Sequence, residues 1–354
     1  MKPVNLKKLA QELNLSIATV SRALNDRYDI SQPTKDRVRA LANKLNYEPN
    51  HHASSLRRNK SKTIGVVIPE VDNHFFSLAI KGIEEVARRN NYHVLIYLSH
   101  EDYQRELAVM RLLASGRVDG VLLSVASESQ DFAHLDLLRE RGIPVVLFDR
   151  VYAGKDMPKV TTDDYESGYR ATQHLLEAGC RVIAHLTIAH TLSISQRRMQ
   201  GYQAALQQFR VPYDEELVVC EAAGKPQSAS LPQTLLTQRP DIDGIFAAVE
   251  SLAMSSYEAC HNLGLRIPKD VKIIGFSNLK TASLLAPPLT TITQPAYEIG
   301  KEAASVLFQA VVKNRLVSAA QSKELKSELI VRASTASTTL SSKEPVALAL
   351  ALGR

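Results

Sequence analysis

The sequence predicts two architectures in one chain: a small all-α head containing a helix-turn-helix, then an α/β body of two lobes built on parallel sheets. Three observations carry this. Residues 1–62 hold 13 Lys+Arg against 5 acids, a charge of +8, whereas the rest of the chain, with 30 against 32, is close to neutral. Apolar residues of the head recur at helical spacing in three short stretches. From Thr63 onward, short apolar runs alternate with amphipathic helical stretches, the pattern of strands covered on both faces of a parallel sheet.

In the head, Leu6, Leu9, Ala10 and Leu13 mark a first helix. Asn14-Leu15 make a tight turn, where Asn tolerates a positive φ better than most residues. Ser16 is a good N-cap for a second helix, about Ile17 to Asn25. It turns Val20, Ala23 and Leu24 inward and leaves Ile17, Ala18, Ser21, Arg22 and Asn25 outward. A third helix, about Pro33 to Leu45, closes the core with Val38, Leu41, Ala42 and Leu45 and ends before Tyr47-Glu48-Pro49. A basic segment of this kind is the electrostatic footprint of a phosphate-backbone binder, although a solvated basic tail would carry the same charge. Pattern separates the two. An exposed helix N-terminus with small polar residues and one Arg suits a DNA major groove. Asn50 to Arg58 is capable of a short helix, with Ala53 and Leu56 on one side and Arg57 and Arg58 on the other. Alone it is too short to be stable in water.

In the body, strands are expected at Ile64–Ile68, Val94–Leu98, Gly120–Val125 and Val145–Asp149, with helices near 77–90, 104–115 and 133–141. A second set comprises Val182–Thr187, Leu217–Val219, Gly244–Val249 and Val271–Phe276, with helices near 168–178, 197–209, 228–238 and 251–263. Leu289–Ile292, a helix from about Tyr297 to Lys313 and a strand near Leu329–Arg332 follow. Two doubly wound lobes place a ligand cleft between them at the carboxyl ends of the strands.

Composition narrows the function. With 354 residues, 45% hydrophobic and 23% charged, the chain is ordinary for a multidomain globular protein. Three cysteines, Cys180, Cys220 and Cys260, are too few and too widely spaced for a disulfide framework or a zinc cluster, and are expected as buried small hydrophobes in a reducing compartment. Neither a signal peptide nor an apolar run of the ~18 residues a membrane span needs is visible, so a cytoplasmic, nucleoid-associated protein without a membrane partner is expected. No Walker loop, His-Glu-x-x-His or Gly-x-Ser-x-Gly occurs; the expectation is a binder rather than an enzyme, with no catalytic residues, metal or cofactor.

Residues Val4 to Ala10, Ser16 to Asn25, Asn46-Tyr47-Glu48-Pro49-Asn50 and Ser55-Leu56-Arg57 closely resemble the lactose-repressor (LacI/GalR) family of transcriptional regulators. The body resembles the family's effector-binding core, a type I periplasmic-binding-protein-like fold, in Thr63 to Pro69, Asn73-His74-Phe75-Phe76, Phe148-Asp149-Arg150, Arg198 to Tyr202, Ile274-Gly275-Phe276 and Pro288 to Thr291. The resemblance implies that Ile17, Ala18 and Arg22 read base edges of double-stranded operator DNA while Ser16, Thr19, Ser21 and Asn25 hold phosphates. It further implies that Asn50, Ala53 and Leu56 belong to a hinge helix that folds in a minor groove, Leu56 wedging a base step. Effector positions carried over are Asn73, Phe75, Phe76, Ser124, Asp149, Asp163, Arg198, Glu250, Ser277 and Gln294. Phe75 and Phe76 would equally suit a lobe core, and Asp149 could cap a helix or pair with Arg150. Three connections near Thr161–Asp164, Ile292–Pro295 and Lys326–Leu329 would link the lobes.

Expected domains are therefore 1–49 (helix-turn-helix), 50–62 (hinge helix and linker), 63–335 (effector core; lobe 1 about 63–161 plus 293–325, lobe 2 about 162–292 plus 326–335) and 336–354, a disordered tail too short for a coiled coil. The implied function is a homodimeric repressor of a palindromic operator, controlled by a sugar, sugar phosphate or sugar acid. The body alone would also permit a sugar-binding transport protein with a basic anchor. One departure stands out: the family usually reads Gly-Phe-Asp-Asp where this chain has Gly275-Phe276-Ser277-Asn278, and Glu250 replaces a common Asp or Asn.

Overall fold

The computed structural model describes residues 5–47, 60–127, 132–152, 157–221, 230–313 and 318–336. Expectations for the hinge residues Asn50, Ala53 and Leu56, and for the tail, lie outside these residues. The chain divides into two compact units, Met1–Ser61 and Lys62–Arg354.

The described residues of the first unit form three helices, α1 (Leu6–Leu13), α2 (Ile17–Leu24) and α3 (Gln32–Lys44). Each start has a local cause. Asn5 Oδ1 accepts from Lys8 N at 3.0 Å and Ser16 Oγ from Thr19 N at 3.0 Å, satisfying amides that a helix start leaves open. Pro33 sits in the first turn of α3, where its missing N–H is harmless. Asn14 ends α1 in the left-handed region, φ 52°, as the turn requires. Leu9, Ala10, Val20, Ala23, Val38 and Ala42 form the buried centre.

The second unit contains two six-stranded sheets. The first has the order β2-β1-β3-β4-β5-β11, with β1 Thr63–Ile68, β2 His93–Leu98, β3 Val121–Leu123, β4 Val145–Phe148, β5 Lys159–Thr162 and β11 Lys323–Leu325; every pair is parallel. The second has the order β7-β6-β8-β9-β10-β12, with β6 Ile183–Ile188, β7 Val218–Glu221, β8 Gly244–Ala247, β9 Lys272–Phe276, β10 Thr290–Thr293 and β12 Glu328–Ile330. Among the described strands of this sheet only the β10–β12 pair is antiparallel.

Side-chain alternation puts the two faces of each sheet into separate cores. In lobe 1, Ile64, Val66 and Ile68 of β1 face α4 (His74–Arg89) and α11 (Ala296–Lys313), while Val67 faces α5 (Tyr103–Leu113) and α6 (Ala133–Glu140). In lobe 2, Phe246, Ile274 and Phe276 pack on α7 (Asp164–Glu177) and α8 (Ser193–Gln208). Ile245 and Ile273 pack on the other side with α9 (Ser230–Gln238) and α10 (Glu250–Leu263).

The chain passes between lobes after β5, after β10 and between β11 and β12. Helices α4, α7 and α8 begin three to four residues before the expected starts, at His74, Asp164 and Ser193. Strand β4 stops at Phe148 because Asp149 takes φ 59°. Cys180 and Cys260 are buried and Cys220 half-buried, all as free thiols.

Candidate nucleic-acid interface and ligand cleft

On the head, α2 presents the expected face. Ile17, Ala18, Arg22 and Asn25 are exposed, with Ile17 at 42%, while Thr19 and Ser21 are half-buried. Ser16 Oγ and Thr19 Oγ1 are 2.8 Å apart, so both hydroxyls are held at the N-terminus of the helix. Arg22 Nη1 lies 3.0 Å from Asp29 Oδ2 with its side chain 61% exposed, a pair weak enough in water to exchange for a base edge. Asn25 Nδ2 donates to Ser21 O at 2.7 Å and finishes the helix. Behind this face, Asp26 bridges Lys35 (3.1 Å) and Arg39 (2.9 Å). The hydrogen bond and charge of Lys35, then the charge of Arg39, hold its carboxyl below the ordinary range. Tyr28, 96% exposed beside this surface, escaped the sequence reading; an aromatic between Arg27 and Asp29 in a polar loop was its signal.

In the body, a cleft of about 360 Å³ including its mouth is lined by Asn73, Phe75, Phe76, Asp149, Arg198, Glu250, Ser277 and Gln294, eight of the ten predicted positions. Arg150, Ile194, Val249, Phe276 and Asn278 complete the lining. Ser124 and Asp163 are not in it, which corrects the expectation. Ser124 is fully buried at the end of β3, its amide given to Val67 O. Asp163 straps the connections: Oδ1 accepts from Ser167 Oγ (3.0 Å) and Ser327 N (2.8 Å), and Arg170 faces Oδ2 at 3.3 Å.

The lining is built from strand ends and helix starts. Asn73 Oδ1 caps α4 through Phe75 N at 2.9 Å, which turns Phe75 and Phe76 into the lobe. Their rings meet edge to face at 5.3 Å, and Phe76 meets Phe148 at 6.5 Å, so the pair serves both core and cleft. Arg198 is 2% exposed. Its Nε and Nη2 give hydrogen bonds to Asp164 (2.8 and 2.7 Å), Nη1 donates to Ala248 O, and the guanidinium lies 3.7 Å from the Phe276 ring centroid.

Arg198 owes its position to helix contact. A methyl on Gly201 would stand 2.2 Å from Tyr165 O, and one on Gly168 2.4 Å from Arg198 O, so only glycine lets α7 and α8 approach this closely. Arg150, 3% exposed, gives Nη1 to Glu101 at 2.5 Å, and its Nε has no hydrogen-bond partner among the described residues. Arg150 was a neighbour of a predicted residue; its signal was a cation directly after an acid at a strand end.

Among the described residues, the Asp149 carboxylate accepts only from Gln294 Nε2, at 3.4 Å. Burial pushes its pKa up to about 6, against the opposing pull of Arg150 and Arg198. Burial likewise raises Asp164, with Arg198 pulling back. Phenyl faces, two guanidinium groups, carboxylates and amides in an open-mouthed crevice can bind a compact polyhydroxyl molecule through many oriented hydrogen bonds.

Among the described residues no group of His, Cys, Asp and Glu could hold a metal ion, and no helix is long and apolar enough to cross a membrane.

A helix-turn-helix unit followed by a two-lobed, ligand-accepting core defines a class of ligand-responsive DNA-binding regulators. Residues 5–50 match the family described as "Bacterial regulatory proteins, lacI family", and residues 61–330 match "Periplasmic binding proteins and sugar binding domain of LacI family". The chain belongs to the LacI family of transcriptional regulators and is not an enzyme. It is 31% identical over 330 residues to the ribose operon repressor of Halalkalibacterium halodurans, covering 93% of this chain and 96% of that protein. Among solved structures, a LacI family transcriptional regulator from Enterococcus faecium with bound ribose is 27% identical with a TM-score of 0.66, over 78% of this chain and all of that one. The lac repressor dimer bound to operator and the anti-inducer ONPF, 21% identical, shares the fold over 95% of this chain and all of that one, with a TM-score of 0.81.

Proposed function

We propose that this protein is a homodimeric, cytoplasmic repressor that reads a palindromic operator, one half-site per subunit, and responds to a sugar or sugar-derived effector held in the cleft of the body. The observation that carries the reading is the pairing, in one chain, of an exposed α2 face bearing Arg22 with a cleft bearing the buried Asp149, Arg150 and Arg198. Ile17, Ala18 and Arg22 read base edges; Ser16, Thr19, Ser21 and Asn25 set the register on phosphates. Residues 50–62 form the hinge, with Leu56 as wedge.

Exposed Leu95 and Ile96 on the edge strand β2, 42% and 44% exposed, support a second copy as partner, because an apolar sheet edge left open invites pairing. Sugar names recur among the relatives, and the hydrogen-bonding side chains that line the cleft suit a polyhydroxyl ligand. Ligand closure of the lobes shifts the hinge, a coupling of about 1–3 kcal/mol in such systems.

Selection of bound sequences from a random duplex library at stated salt tests the proposal. A palindrome is expected; salt-sensitive binding with no sequence preference contradicts it and leaves residues 1–62 a basic anchor.

A further inference from the structure

The body has a second cavity that shares no lining residue with the cleft. It measures about 630 Å³ including its mouth, against about 360 Å³ for the cleft. Lobe 1 supplies Lys159 and Thr161 from β5, with Ser322 and Glu324 in and just before β11; lobe 2 supplies Ser193 and Arg197 from α8. The two cavities stand back to back. Arg197 and Ser193 line one where their chain neighbours Arg198 and Ile194 line the other, and the Arg198–Asp164 ion pair has its cation in the cleft wall and its carboxylate in the second cavity.

The charges of the second cavity sort into matched and unmatched. Asp164 is held by Arg198, and Lys323 Nζ lies 2.5 Å from Glu302 Oε2. Among the described residues, the half-buried Lys159 and the exposed Arg197 pair with no carboxylate, and the exposed Glu324 with no cation. Two hydroxyls are also set in place. Ser193 Oγ accepts from Val151 N and Ser322 Oγ from Lys159 N, both at 3.1 Å, which fixes the oxygens and leaves each proton to be donated. Two uncompensated cations and two hydroxyl donors in one concave wall suit an oxyanion, Arg as a planar fork and Lys as a point charge.

We propose that this cavity is a second ligand site, for a small hydroxylated compound carrying one phosphate or carboxylate group. Lys159 and Arg197 hold the oxyanion, Ser193 and Ser322 donate to it, and Glu324 accepts from a hydroxyl of the ligand. Because the walls come from both lobes, an occupant ties β5 and β11 to α8 and favours one lobe arrangement. The shared Arg198–Asp164 pair is the contact through which it reaches the cleft; that effect alone rests on the reading of the cleft as the effector site.

Isothermal titration of the full-length protein in phosphate-free buffer at fixed low salt, with glycerol 3-phosphate, D-glycerate and glycerol, tests the site. One of the two anions is expected to bind and to identify which oxyanion the site takes, with glycerol silent. Arg197→Gln, an exposed position whose change leaves the fold intact, is expected to weaken the anion by about 10- to 100-fold, and Lys159→Gln likewise. Asp149→Asn, in the cleft, leaves anion affinity unchanged. Melting of the ligand-free variants checks that each is folded. If neither anion binds, if glycerol binds as well as they do, or if anion affinity survives the Arg197→Gln, Lys159→Gln double variant, the proposal is overturned. Loss of anion binding in Asp149→Asn also overturns it, because the anion then sits in the cleft. Failure of the cleft reading looks different: no sugar binds, while the anion titration and its dependence on Arg197 and Lys159 stand.

Discussion

Replacing Asp149 by Asn isolates the energetic consequence of holding a carboxylate in the cleft. Asn is nearly the same size and tolerates the φ of 59° at least as well, so the backbone is not perturbed. Gln294 keeps an acceptor, and Arg150 and Arg198 keep Glu101 and Asp164. What changes is the charge. In the folded protein the Asp149 pKa stands at about 6, against 3.8 for the free group. The raised value means that folding favours the protonated form: its stabilising contribution is complete below about 3.8 and is lost as pH rises towards 6. Above pH 6 the ionised side chain opposes folding by an amount on the order of 3 kcal/mol, from about 1.4 kcal/mol per pKa unit. Asp149→Asn is therefore expected to stabilise the body by about 1–3 kcal/mol at pH 7.5, a rise of roughly 2–6 °C in Tm for a unit of this size. The gain shrinks as the pH is lowered to 4.5, and effector binding is lost at every pH. Calorimetric melting of both proteins at the two pH values measures it. A variant with an unchanged or lower Tm at pH 7.5, or a gain indifferent to pH, refutes the reasoning. The prediction has a functional meaning: a buried carboxylate that lines a cleft at a cost in stability marks a binding site.

Further outcomes follow from other parts of the molecule. Arg22→Ala is expected to reduce binding to the selected operator by about 1–3 kcal/mol and to relax preference at one base pair of each half-site. Competition with single-base operator variants reads this, and unchanged discrimination removes Arg22 as a base reader. Gly201→Ala forces α7 from α8, since the added methyl meets backbone at 2.2 Å. A loss of about 1–3 kcal/mol in stability and of effector binding is expected, because Arg198 rides on the same helix. Melting and titration of the one variant check both, and full effector affinity at a lowered Tm would show that Arg198 does not depend on the contact.

Much of this was readable before the structure because the chemistry repeats along the chain. Leu6, Leu9, Ala10 and Leu13 announce α1 by spacing, and Asn14 and Ser16 announce the turn and the cap. The starts of α4, α7 and α8 were placed too late for one physical reason. Their first turns lie against the cleft or the lobe connections and mix polar residues (His74, Asp164, Ser193) with buried apolar ones (Phe75, Phe76, Ile194), which blurs the amphipathic stripe at the start of each helix. The places where periodicity fails are thus places where function is held. Asp163 was misplaced because its motif sits beside the cleft, yet its carboxylate is consumed by Arg170, seven positions on, and by Ser327 N, 164 positions away. The Glu250–His74 contact joins two lobes across 176 positions of sequence. Local pattern carries no information about such a pairing.

The central claim is that occupancy of the cleft changes affinity for DNA. It is tested most directly by fluorescence anisotropy of the full-length protein on its selected operator at fixed salt, with and without a saturating cleft-binding sugar, for the wild type and Asp149→Asn. The account predicts a shift in operator Kd of about 5- to 150-fold in the wild type, from 1–3 kcal/mol of coupling, and none in the variant. An operator Kd that stays the same while calorimetry shows the sugar bound would contradict it.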